Sequence, residues 1–470
     1  MIFDFIREIV QYPDQLKQIA WSRGPHRTEL CCNPEEIQLL DVPDVQTSGA
    51  QSQKTDNGVA NKTPKAQNNG RDLGDGNTDT SSGDENLILT CGISPDGQWA
   101  AVCDDRKTLH LYKLADGRLH LTSSRGVPRR CTTVRFTSDN SVVVIADKAG
   151  DVYSFPVLLE EGVTQKGDAD PGREGKKNNS PDEEVCEGGS LVLGHLSMLL
   201  DMILVTKDSR IITSDRDEKI RVSQYPDAYV IESFCLGHSK FVISLAFDED
   251  SQSIISGSGD STVKLWSLSG QELFSVNVLD KLPDGGATPA SGQTGEEDVT
   301  GTLANRLACE NAVQRLTYCS KCKLLFVAIY RSEHIPVYRL KLDQGLTSLE
   351  FLTVLSCSHK VSSISVSRCV LWVLAEGGGD LMLSAYRIQG DGDTVKLTDV
   401  ETDSRESKMI QVFSSQEALT KGPPSSMDLF PFLWKSAFQE DATAKRNIKR
   451  PTAKSGQDLE LKKSKVDTSS

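Results

Sequence analysis

The sequence predicts an all-β fold, a seven-bladed β-propeller with disordered insertions and a disordered basic C-terminal tail, and three observations carry that reading. First, Gly194-His195 followed by Thr213 to Ser223 is repeated as Gly237-His238 followed by Ser256 to Trp266, at an offset of 43 residues. A repeat of roughly 40–45 residues with Gly-His early and an aromatic position late is the signature of a propeller blade. Second, Cys103 to Tyr112 and Ala146 to Phe155 share one plan: a strand, a polar turn rich in Asp or Gly, then an alternating strand that ends in an aromatic. Tyr112 and Phe155 are again 43 residues apart. Third, at 470 residues the chain exceeds one average domain, but one propeller with insertions accounts for it.

In chain order, the first recognisable blade begins near Leu87-Ile88-Leu89, with a turn at Ser94-Pro95-Asp96-Gly97. Later copies run through Phe155, Ser223 and Trp266, and two weaker ones cover Cys322 to Leu340 and His359 to Ile388. That makes six, so a seventh is expected before residue 87. Residues 1–45, however, read as an amphipathic helix through Phe3, Phe5, Ile6, Ile9, Val10, Leu16, Ile19 and Ala20, or as an altered first blade. Residues 46–86 read as a disordered linker, 87–390 as the propeller, and 163–190 and 283–303 as insertions too polar to bury a core. Within the tail, 391–470, an apolar island at 427–438 is expected to dock. Lys445-Arg446-Asn447-Ile448-Lys449-Arg450 and Lys462-Lys463-Ser464-Lys465 read as an import signal or an RNA-touching arm.

Hydrophobic residues make up 37% and charged residues 25%, as expected of a real core with polar appendages. A formal charge of −14 argues against a surface that coats nucleic acid. No apolar run is long enough for a membrane span and the N-terminus lacks a basic, apolar leader, so the chain is expected inside the cell. Its 12 cysteines are then expected as reduced thiols. Cys319 and Cys322 form a lone C-x-x-C, half of a zinc site or a redox pair. With no second pair at metal spacing, the reading is two strand-end cysteines and no metal.

His195 and His238 invite a catalytic reading, but an active site is needed once and these recur. A network that ties strands together within each blade is needed every time, so His195, Asp217, His238, Ser256, Asp260 and Trp266 are read as blade scaffolding. With no phosphate-cradling loop, nucleophile elbow or metal spacing, no catalytic residues are predicted. The repeat's deviations then carry the functional signal. Lys148 and Arg216 both fall opposite Gly259, and Asp215 to Lys219 are five consecutive charges of both signs ahead of a strand bearing Arg221. Either this cluster meets a protein of complementary pattern, or it is a solvated turn in which Asp217 plays its blade role and Arg221 braces it.

At these residues the chain resembles a known family. Ala146-Asp147-Lys148-Ala149-Gly150-Asp151-Val152-Tyr153-Ser154-Phe155, Leu193-Gly194-His195-Leu196-Ser197 and Asp215-Arg216-Asp217-Glu218-Lys219-Ile220-Arg221-Val222-Ser223 are similar to the WD-repeat, non-catalytic subunit of the tRNA (guanine-N7-)-methyltransferase. The resemblance implies a heterodimer with a catalytic subunit that binds S-adenosylmethionine and methylates a variable-loop guanosine, with tRNA met through the complex. This chain would need no cofactor and no membrane, and would work in the nucleus, with the cytoplasm as a second compartment. It also implies that Lys148, Arg216, Asp217, Glu218, Lys219 and Arg221 face the catalytic subunit. The alternative, a substrate receptor of a cullin-type ubiquitin ligase, calls for an Arg shortly after a Trp-Asp pair, whereas Trp266 is followed by Ser267-Leu268.

Overall fold

The computed structural model describes residues 88–115, 118–158, 186, 188–283, 311–390, 395–402, 404–415 and 433, together with the backbone of Thr28–Glu29 and Leu39–Leu40. Six four-stranded antiparallel sheets follow one another, each with its strands in sequence order. Their first strands, Ile88–Ile93, Cys131–Phe136, Leu199–Val205, Val242–Asp248, Val313–Cys319 and Lys360–Ser367, neighbour one another successively as the inner wall of a propeller. The expected insertion ends where Ser190–Gly194 begins, the outer strand of the second blade.

The core lies between blades. Alternation along each strand sends one row of apolar side chains to each neighbouring sheet, and five clusters fill the five seams. Leu109, Leu111, Val134, Phe136, Ile145 and Phe155 fill the first, for example, and Ile255, Leu265, Leu316, Leu325, Val327 and Tyr338 the fourth. Among the described residues six blades are present, which corrects the expected seven. Before Ile88 the described backbone forms only the antiparallel ladder of Thr28–Glu29 with Leu39–Leu40, too short for a blade. The faces of the two outermost sheets that no described neighbouring blade covers carry Cys91, Ile93, Ala100, Val102, Tyr112 and Leu119 on the first, and Val370, Trp372, Leu374, Leu381, Leu383 and Ala385 on the sixth, all of them buried. Both faces pack against Met409.

Met409 belongs to a helix, Arg405–Ser415, that buries Phe413 on the sixth blade and sets Glu406 3.6 Å from Arg387. The outer strand of that blade is Lys396–Asp399. The fold therefore runs past residue 390, where the sequence reading began the tail, because an edge strand this short and polar carries little periodic signal. The stretches 46–86 and 283–303 lie outside the described residues, apart from position 283 itself, as do most of 163–190 and the basic clusters. Among the described residues no helix is long and apolar enough to cross a membrane.

The scaffolding network forms in the fourth blade as the repeat implies. His238 Nδ1 lies 3.0 Å from Asp260 and Nε2 2.7 Å from the Ser256 hydroxyl, which also accepts the Trp266 indole N–H at 2.8 Å. Burial alone would raise the Asp260 carboxyl. Its hydrogen bond with His238, that ring's charge, the Thr262 hydroxyl and the Ser239 amide outweigh burial and hold it well below the usual carboxylate range. A depressed folded value gives stabilisation that is complete above the unfolded value, about 3.9, and is lost as pH falls toward the folded one. Urea midpoints measured from pH 7 down to 3 are expected to fall less steeply below about pH 4 in Asp260→Asn than in the parent.

In the third blade the partner of His195 is Asp215, not Asp217. His195 Nδ1 lies 3.1 Å from Asp215 and Nε2 2.9 Å from Thr213. Asp215 ends its strand, as Asp104 and Asp147 end theirs, and from there its carboxylate also accepts the turn amides of Asp217 and Lys219. Asp217 stands at the repeat position of Asp260, 43 residues earlier. The fourth blade has Ser258 at the strand end and carries its Asp two residues later.

Candidate partner-binding site

Lys148, Arg216, Gly259 and Tyr330 each follow the second strand of their blade. Each donates its backbone N–H to the residue just before its blade's inner strand, respectively to the carbonyls of Arg130, Met198, Phe241 and Ala312. These four turns therefore share one face of the propeller. The fourth blade needs glycine here because a Cβ would stand 2.5 Å from the Phe241 ring. Where the underlying residue is the flexible Arg130 or Met198, the position can carry a long cation.

The two cations are held differently, Lys148 beside another cation and Arg216 beside a carboxylate. Lys148 is half-buried, and its ammonium is pushed below its ordinary pKa by burial and then by neighbouring Arg130. No described residue accepts a hydrogen bond from it. Arg216 Nε is 4.0 Å from the Asp217 carboxylate, too long for a hydrogen bond, and has no acceptor among the described residues. Asp217, released from the blade network, accepts the Ser197 hydroxyl at 2.8 Å. Glu218 holds the left-handed turn position with φ 68°, and exposed Lys219 folds back onto the Asp217 carbonyl.

The loop His195-Leu196-Ser197 joins the second and third blades and braces both turns. His195 N–H donates to Gly150 O at 2.8 Å, and Ser197 reaches Asp217 on the other side. Gly150 has φ 108°, and a Cβ there would stand 2.6 Å from the carbonyl oxygens of His195 and Ser197, so only glycine lets the turn lie flat on this loop. Between the two fixed ends Leu196 is fully exposed. An apolar side chain held out on a braced loop between two cation-bearing turns is the arrangement of an interface anchor. Sequence reading passed over Leu196 because exposure, not residue type, distinguishes it.

A family profile described as the tRNA methyltransferase TRM82 WD40 domain matches residues 26–187 and 170–413. The chain belongs to this TRM82 WD40 family. Its relatives include the "tRNA (guanine-N(7)-)-methyltransferase non-catalytic subunit wdr4" of Xenopus laevis, 30% identical over 376 residues, covering 78% of this chain and 81% of that protein. The Homo sapiens protein of the same description is 31% identical over 356 residues, 75% of this chain and 73% of its own. With the Danio rerio protein the identity is 39% over 222 residues, and the chain there spans about half of the relative's length, 47%. Because the TRM82 match begins at residue 26, the family pattern reaches into the 1–45 stretch whose composition suggested a helix.

Two further residues of this TRM82-family propeller bear on the site. Arg221 is buried, with Nη1 donating to the Gly194 carbonyl at 2.9 Å and its pKa lowered by burial against the opposing pull of Asp215. It braces the loop from below rather than presenting a charge. Of the apolar island 427–438, Leu433 is described, and it is buried among Phe241, Ala312 and Tyr330, with Met198, Leu200 and Ile243 beside them. Phe241, Ala312, Tyr330 and Met198 are the residues that shape the turn positions, so Leu433 docks on the same face as the charged turns.

Proposed function

We propose that the chain is the non-catalytic scaffold of a tRNA N7-methylguanosine methyltransferase. It would dock the catalytic subunit in a heterodimer, through the turns that carry Lys148, Arg216, Asp217, Glu218 and Lys219, with Leu196 as the apolar anchor. The carrying observation is a pair of cations at one turn position of adjacent blades, Lys148 without a described acceptor and Arg216 only loosely paired with Asp217, flanking that exposed leucine, in a family whose relatives are named non-catalytic subunits. A half-buried ammonium depressed by burial and by a second cation gains most from an incoming carboxylate, and charges desolvated at an interface are worth far more than exposed ones.

The chain contributes no methyl-transfer group in this reading. S-adenosylmethionine belongs to the partner, and the propeller's part is to hold that subunit in one conformation, so that less conformational entropy is lost when tRNA arrives. The methylated base would be the variable-loop guanosine, and the complex would work in the nucleus. Reconstitution tests both halves: tRNA N7 methylation is expected only when chain and catalytic subunit are combined. Methylation by the chain alone, or no binding and no stimulation, would overturn the proposal. Leu196→Asp is expected to weaken binding by at least about tenfold in a titration, the scale of a hot-spot residue, with unfolding midpoints unchanged.

A further inference from the structure

We propose that Cys319, Cys322 and Cys369 form a binding site for a thiophilic d10 cation, Zn2+ foremost, that clips the fifth blade to the sixth. Cys319 ends the inner strand of the fifth blade and Cys322 lies in the turn that follows. Cys369 lies in the equivalent turn of the sixth blade, between Lys360–Ser367 and Val370–Gly377. Their three Sγ atoms lie within 4.8 Å of one another, and Cys322 and Cys369 approach to 3.4 Å across the seam. Tetrahedral zinc with bonds of about 2.3 Å sets its sulfurs roughly 3.8 Å apart, inside this range.

The surroundings suit a bound thiolate set. Both turns are fixed from behind, by Leu340 N–H on the Lys323 carbonyl and Ile388 N–H on the Cys369 carbonyl, each at 2.8 Å. Cys319 is buried while Cys322 and Cys369 are half-buried, so a fourth position opens to solvent for a water ligand. Mutual contact of three thiols is an unusual use of cysteine as an apolar filler. A redox pair fits less well, because it would leave Cys319 over. The sequence could not show this site, because Cys369 follows Cys322 by 47 residues and reaches it only when two blades pack.

The test uses the purified full-length chain, reduced, then incubated with Zn2+ and desalted. One zinc per chain is expected, with three thiols newly protected from an aromatic disulfide reagent, and Co2+ in its place should give thiolate-to-metal charge-transfer absorption. Cys322→Ser and Cys369→Ser are expected to weaken Zn2+ binding by more than the ~10–100-fold that loss of an outer-shell partner costs. Cys357→Ser, in the same apolar seam but outside the trio, should leave it unchanged. A parallel titration with Cu+ distinguishes the two cations. A wild-type chain that retains no metal and gains no thiol protection would overturn the site, as would a Cys322–Cys369 disulfide under reducing purification. Both readouts on the wild-type chain stand even if a serine variant fails to fold.

Discussion

Lys148→Glu combined with Arg216→Glu is expected to abolish co-purification of the catalytic methyltransferase subunit while the propeller stays folded. Truncating one member of a desolvated interface pair costs about 2–5 kcal/mol, and reversal replaces attraction by repulsion. Two reversals on adjacent blades should therefore weaken the complex by more than about a thousandfold. The fold should survive because the change removes nothing internal: Lys148 has no described acceptor, and Arg216 only faces Asp217 at 4.0 Å. Arg221→Glu is the contrasting variant. Its guanidinium is buried against the Gly194 carbonyl, so it should unfold the third blade rather than merely release the partner. Binding measured by calorimetry, beside urea unfolding of each variant, separates the outcomes. A double variant that still binds would remove these turns from the interface.

Trp266→Ala should give the largest loss of stability, about 3–5 kcal/mol by urea unfolding. The indole is fully buried, meets the His238 ring edge-on at 5.8 Å between centroids and donates to Ser256. Its removal opens a cavity in the third seam and takes one partner from a buried hydroxyl. The third blade provides an internal comparison, because Ser223 stands where the fourth has Trp266 and its hydroxyl is buried without a partner among the described residues. Thr213→Ala there removes one hydrogen bond to His195 and little volume, so it should cost only about 1–2 kcal/mol. Equal losses from the two substitutions would contradict the assignment of the complete network to the fourth blade.

Much of this was legible in the chain. The 43-residue offset located four blades to within a few residues, because hydrogen-bonded turns and seam-filling strands leave a strict periodic imprint. The repeat also identified the one turn position at which Lys148 and Arg216 replace glycine. It misassigned Asp217, since a carboxylate at the strand end and one two residues later can both lie near the same turn, and only geometry separates Asp215 from its neighbour. Leu196, Cys369 and Leu433 were not legible because their significance lies in relations across blades: exposure on a braced loop, a third thiol from the next sheet, and a pocket assembled from three inner strands. The sixth blade's outer strand and the helix behind it escaped for a simpler reason, being short and weakly periodic.

That helix has a kinetic consequence. Met409 packs against the outward faces of both the first and the sixth blades, so among the described residues it makes the core contact most distant in sequence. Long-range closures of this kind form late, after neighbouring sheets have zipped along the chain. Interactions absent from the folding transition state set the rate of unfolding. Weakening Met409 should therefore leave refolding almost as fast as before and shorten the native lifetime, making this side chain the latch whose opening starts the ring's disassembly.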